Sequence, residues 1–129
     1  MKKEIDSRFN VSNKSLVFAK AKRLAVEGVH FARFVRNDLH EYDIGRQVLR
    51  SITAPGALIA EATDSESSAD MHHKFGVALK ECRESQYWID VLEESNLLHK
   101  ERWALVQALL NEVTAMLVAS RKTLKKQLR

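Results

Sequence analysis

The chain has 129 residues, 45% hydrophobic and 29% charged, with a net charge of +4. That length suits one compact domain burying roughly two thirds of its unfolded surface, and one cysteine, Cys82, excludes an internal disulfide and suits a reducing compartment. No apolar run approaches the roughly 20 residues of a membrane span, and Met-Lys-Lys-Glu-Ile-Asp lacks the apolar stretch of a signal peptide, so a cytoplasmic location without a membrane partner is expected.

Residues 1–12 are mostly polar and are expected to fray. Ser12 or Asn13 can cap the first helix by accepting from its free N–H groups. Val17, Ala21, Leu24, Gly28, Phe31 and Val35 then recur at alternating four- and three-residue steps, the seam of a helix packed into a bundle. Gly28 costs about 1 kcal/mol relative to alanine inside a helix, which predicts close approach by a neighbouring helix. Val26, Val29 and Phe34 lie off that seam. A helix apolar nearly all round is normally buried all round, so these three are candidates for a subunit contact, beside the plainer alternative of scattered exposed apolar residues.

Between Asp38 and Asp43 the chain turns into a second helix with Ile44, Val48, Ile52, Ile59 and Ala62 inside. Pro55 cannot donate to the carbonyl of Ser51 and crowds it, which predicts a bend, and Gly56 admits a neighbour there. Arg50 and Glu61 stand on this otherwise apolar stretch and need partners. The run Thr63 to Ala69, rich in Ser, Asp and Glu, marks the mid-chain loop. Ser67 or Ser68 caps the third helix, with Asp70 in its first turn. That helix repeats Met71, Phe75, Ala78, Cys82, Ser85, Ile89 and Leu92, making Cys82 a small core residue. After Asn96 a short turn leads to a fourth helix with the stripe Trp103, Val106, Leu110, Val113, Leu117, Ser120 and Leu124, and residues 121–129 form a basic tail. The expectation is a single all-α domain over residues 1–129, an antiparallel up-and-down four-helix bundle with the second helix kinked at Pro55.

Signs of catalytic chemistry are few. No Gly-rich phosphate loop, cysteine pair, His-Glu-x-x-His or Gly-x-Ser-x-Gly motif occurs. His72 and His73 diverge by about 100° on a helix, and His30, His40 and His99 lie on other segments. Catalytic residues, a cofactor, a metal site and a small-molecule substrate are therefore not predicted. Glu81 and Glu84 share a helix face, but a dimetal centre wants Glu-x-x-His pairs. With Arg50 and Glu61 they make a candidate structural polar cluster. Tyr87 and Trp88 sit among Glu84, Asp90, Glu93 and Glu94, an acidic surround that repels phosphate, so they are expected in the core or at a subunit contact.

Charge is distributed unevenly. Residues 1–40 hold nine basic and four acidic side chains, residues 41–101 six and twelve, and residues 102–129 six and one. Basic ends around an acidic middle suit either an anionic partner or copies meeting basic edge to acidic edge. The candidate phosphate-binding residues are Lys14, Lys20, Lys22, Arg23, Arg33 and Arg36 on the first helix and Arg121, Lys122, Lys125, Lys126 and Arg129 at the end. The second group also complements the dipole of the last helix. On one face, the two groups would form a sequence-independent surface for RNA or DNA.

Two blocks carry a resemblance. The order Leu49-Arg50-Ser51, Thr53, Gly56-Ala57, Ile59-Ala60-Glu61-Ala62, followed by Phe75, Ala78-Leu79-Lys80-Glu81, Glu84, Tyr87-Trp88-Ile89 and Leu92, resembles the bacterial four-helix-bundle proteins encoded by 23S rRNA intervening sequences. The likeness runs from about Phe18 to Leu117, with Ala54-Pro55 and Leu58 departing from the family's usual residues. It implies a homo-oligomer, a ring of five, and kinship with the accessory proteins of diversity-generating retroelements, which work with a reverse transcriptase. Pairing of a basic edge with an acidic edge is heterologous, and heterologous contacts close into rings. A non-enzymatic, nucleic-acid-associated bundle is thus one expectation, and a purely structural homo-oligomer or protein adaptor the other.

Overall fold

The computed structural model describes residues 11–128, with side chains from 16 onward. The expectations for residues 1–10 and for Arg129 lie outside the described residues. The helices are, in order, α1 (Val11–Asn37), α2 (Tyr42–Ala62), α3 (Ser68–Glu94) and α4 (Ala104–Gln127), the last entered through a 3-10 turn at Lys100–Trp103. Each packs on the next and α1 also packs on α4, with short connections between them, consistent with an up-and-down bundle. Ser12 and Asn13 lie inside α1, which is helical from Val11.

The seams meet in one core. Val17, Ala21, Leu24, Phe31 and Val35 of α1 are buried against Val48, Ile52 and Ile59 of α2, Met71, Phe75, Ala78 and Cys82 of α3, and Val106, Val113 and Leu117 of α4. Ile44 and Trp103 are half-buried at its margin. Gly28 makes room for Ile52 of α2, since a Cβ there would fall on that side chain. Gly56 is less tight, with the Ala21 carbonyl oxygen 3.4 Å from where its Cβ would stand. Pro55 lies inside α2 and is buried.

The ends of the helices follow from local chemistry. The Ser67 hydroxyl accepts from the Asp70 amide at 3.1 Å and caps α3. Asn96 takes φ 60°, its N–H donates to Glu93 and that of Leu97 to Leu92, the paired bonds of a Schellman stop. Trp103 then packs on Phe31 and Phe34, ring centroids 5.1 and 5.2 Å away, and ties the start of α4 to α1. Contrary to the expectation from the sequence, the segment Lys100–Gln127 is long and apolar enough to cross a membrane by length and composition, as core helices of soluble proteins also are.

Candidate nucleic-acid interface

The cations of α1 point in different directions. Lys20 faces α4 and pairs with Glu112 at 2.9 Å, while Lys22 and Arg23 are exposed. Arg33 and Arg36 line a groove of about 700 Å³ shared with Tyr42, Arg46 and Leu49 of α2 and floored by Val29 and Ala32. Arg46 is held by Asp43 at 2.8 Å. The stem of Arg36 crosses Gly45, whose Cβ would stand 3.2 Å from that of Arg36. Lys14 belongs to α1, but its side chain is outside the described residues.

At the other end of the bundle, α3 and α4 form a second basic groove, about 310 Å³, lined by His72, Leu79 and Arg83 from one helix and Val118, Arg121, Lys122 and Lys125 from the other. Arg121 lies across Gly76, its guanidinium 3.0 to 3.1 Å from where a Cβ would be, and its buried Nε finds no hydrogen-bond partner among the described residues. Burial first, then the charges of Arg121, Lys125 and His73, hold His72 below the ordinary imidazole value. Lys126 is exposed beyond the groove. The first and last helices therefore present two separate basic grooves that share no residue. His72 and Arg83 on α3, together with Arg46 and Tyr42 on α2, join them although the sequence does not place them among the phosphate-binding candidates. For α3 a signal exists, since His72 and Arg83 stand eleven residues apart, three helical turns along one face, but which helix faces them is a tertiary fact.

The carboxylate cluster is compact and already occupied. Arg50 donates to Glu81 at 3.2 Å and to Glu84, and the Trp88 indole N–H donates to Glu84 at 3.1 Å. Beneath them the Ser85 hydroxyl donates to that of Ser51 at 3.0 Å. Trp88, followed by Arg50, holds the Glu84 carboxyl below its ordinary value against a contrary push from burial, and Arg50 is raised in turn. Among the described residues, Glu61 takes no part; it is exposed, three turns further along α2. Cys82 is fully buried and its thiol is pushed up to about 11 by burial, so it stays protonated at neutral pH. Among the described residues no group of three His, Cys, Asp or Glu is placed to hold a metal ion.

The apolar candidates for a subunit contact differ in exposure. Val26 and Tyr87 are 50% and 58% exposed. Val29 and Trp88 are half-buried. Phe34 is engaged within its own chain, packed on Trp103 and capped by the Arg102 guanidinium 4.4 Å from its ring centre. The outer face of α4 adds a stripe not anticipated from the sequence, where Ala104, Leu105, Ala108, Ala115 and Ala119 are exposed.

Together these features define an all-α four-helix protein with basic grooves at both ends and an ion-paired carboxylate cluster between. The chain belongs to the 23S rRNA-intervening sequence protein family, whose pattern matches residues 13–119. A solved structure similar to it is a protein of unknown function from the S23 ribosomal protein family of Bacteroides thetaiotaomicron, 31% identical, with 85% of this chain and 98% of that chain covered and a TM-score of 0.80. No curated protein matches the chain.

Proposed function

We propose that the chain is a non-enzymatic, self-associating scaffold that holds RNA or DNA by its phosphates. The observation that carries this reading is the clustering of surface cations into two grooves, with Lys22, Arg23 and Lys126 exposed outside them. Cations so grouped repel one another and favour a polyanion. The groups most suited to catalysis are committed elsewhere, Glu81 and Glu84 to Arg50 and Cys82 to the core. The family's description, an intervening sequence of 23S rRNA, fits an RNA-linked role in the cytoplasm. Its resemblance to retroelement accessory proteins extends the proposal to a ring of five and to a reverse transcriptase as partner. A bend of α2 at Pro55 belongs to the same scaffold, letting the helix follow α1 at Gly56.

The exposed apolar residues Val26, Leu105 and Tyr87 favour a second reading, a structural homo-oligomer or protein adaptor that binds no nucleic acid. Charge reversal separates the two. Lys122, Lys125 and Lys126 changed together to Glu should abolish RNA binding and leave the assembly mass unchanged. A loss of assembly without any RNA binding by the wild type would favour the second reading.

A further inference from the structure

The two basic grooves are not equivalent. Neither groove is lined by a carboxylate, but in the α1–α2 groove Arg46 is already paired with Asp43, whereas the α3–α4 groove is lined by His72, Arg83, Arg121, Lys122 and Lys125. Among the described residues, none of its four permanent cations forms an ion pair. Arg121 carries the largest unmet demand, since its guanidinium lies against Gly76 and its Nε is buried without a partner. A buried donor left unpaired is costly, and a guanidinium so placed also lacks a counter-ion, which an anion at its terminal nitrogens would supply. Leu79 and Val118 give the groove an apolar floor, against which a sugar can rest while its phosphate meets the cations above.

We propose that the α3–α4 groove seats a backbone phosphate of the bound nucleic acid, gripped by Arg83 from α3 and by Arg121 and Lys125 from α4, with His72 at its edge. This rests on the nucleic-acid reading above and narrows it to one end of the bundle. A planar guanidinium from each wall matches the paired oxygens of a phosphate. The groove's size, about 310 Å³, admits a phosphate and its sugar, and Lys122 and Lys126 continue the basic track along α4 as a polymer requires.

The test pairs two measurements on the full chain. In the first, Arg83→Ala with Lys125→Ala, both exposed and so of small effect on folding, is compared with Lys80→Ala with Lys100→Ala, which removes the same charge elsewhere. The groove variant should lower affinity for a labelled structured RNA by about tenfold or more and reduce its salt slope by about two; the control should shift affinity by less than about twofold. In the second, the ring signals of His72 should move in NMR spectra when inorganic phosphate is added, and more strongly with a short RNA. RNA binding that survives in the groove variant with its full salt slope overturns the groove and leaves the general reading intact. Wild-type protein that binds neither RNA nor duplex DNA at low salt overturns both. Displacement of the RNA by an acidic polypeptide at equal charge concentration would overturn the assignment to phosphate.

Discussion

Gly28 and Gly56 both sit where α1 meets α2, yet they make opposite demands. A side chain at Gly28 would collide with Ile52, while at Gly56 the neighbouring backbone stands at ordinary contact distance. Gly28→Ala should therefore destabilise the fold by about 1–2 kcal/mol, overpacking outweighing the gain in helix propensity. Gly56→Ala should be neutral or stabilise by up to about 1 kcal/mol. Urea denaturation checks both, and combining Gly28→Ala with Ile52→Ala should cost less than the sum of the two, as expected for residues in contact. Additive costs would place the collision elsewhere.

Glu84 makes a second prediction at this scale. Its carboxyl is held below the ordinary value by Trp88 and Arg50, and unfolded glutamate takes its proton near pH about 4.3. Between those values the unfolded state binds more protons, so stability falls as the pH falls. The contribution is whole above the unfolded value and lost once the folded value is passed. Glu84→Gln should cost about 0.5 kcal/mol at neutral pH, the size of a surface ion pair, and the gap to the wild type should close as the pH falls through the folded value. A gap of constant size would show that the charge of Glu84 is not what stabilises the pair.

At the level of the helices, most of the packing is legible in the sequence because helical spacing alone dictates which residues share a face. The seams of α1 and α3 are buried at every predicted position. Ser67 and Asn96 are visible as start and stop signals because their chemistry is local. Spacing does not reveal the partner across a seam. It groups Glu61 with Arg50, yet Glu61 lies three turns beyond the cluster, and it turns Phe34 outward although Trp103 covers it. The candidate cations of α1 and α4 are likewise visible, but not their division between two grooves. Cys82 offers a check on how tightly α3 is held. Its thiol should resist alkylation in the folded protein and react fully in urea, and rapid labelling without denaturant would mean that α3 detaches locally.

At the scale of the whole molecule, the chain reversals place the α1–α2 groove toward the turn at residues 38–41 and the α3–α4 groove toward the opposite end. Acidic residues of the third helix, Asp90, Glu93 and Glu94, lie toward the first of these ends. In the proposed ring, copies meet with the α1–α2 groove of one against these acidic residues of the next, a heterologous contact, which closes where the rotation between copies allows. Light scattering should give a mass near five times the 14.7 kDa of one chain, and a mass near one chain would rule the ring out.

Whether the bundle is a phosphate-binding scaffold is decided by titrating the purified protein into labelled structured RNA and duplex DNA across a salt series. Binding should weaken linearly on a logarithmic salt scale, with a slope corresponding to several phosphate contacts, and should show little preference among sequences of the same structure. Absence of binding even at low salt, or binding indifferent to salt, would refute the phosphate scaffold and assign the basic ends to contacts between proteins.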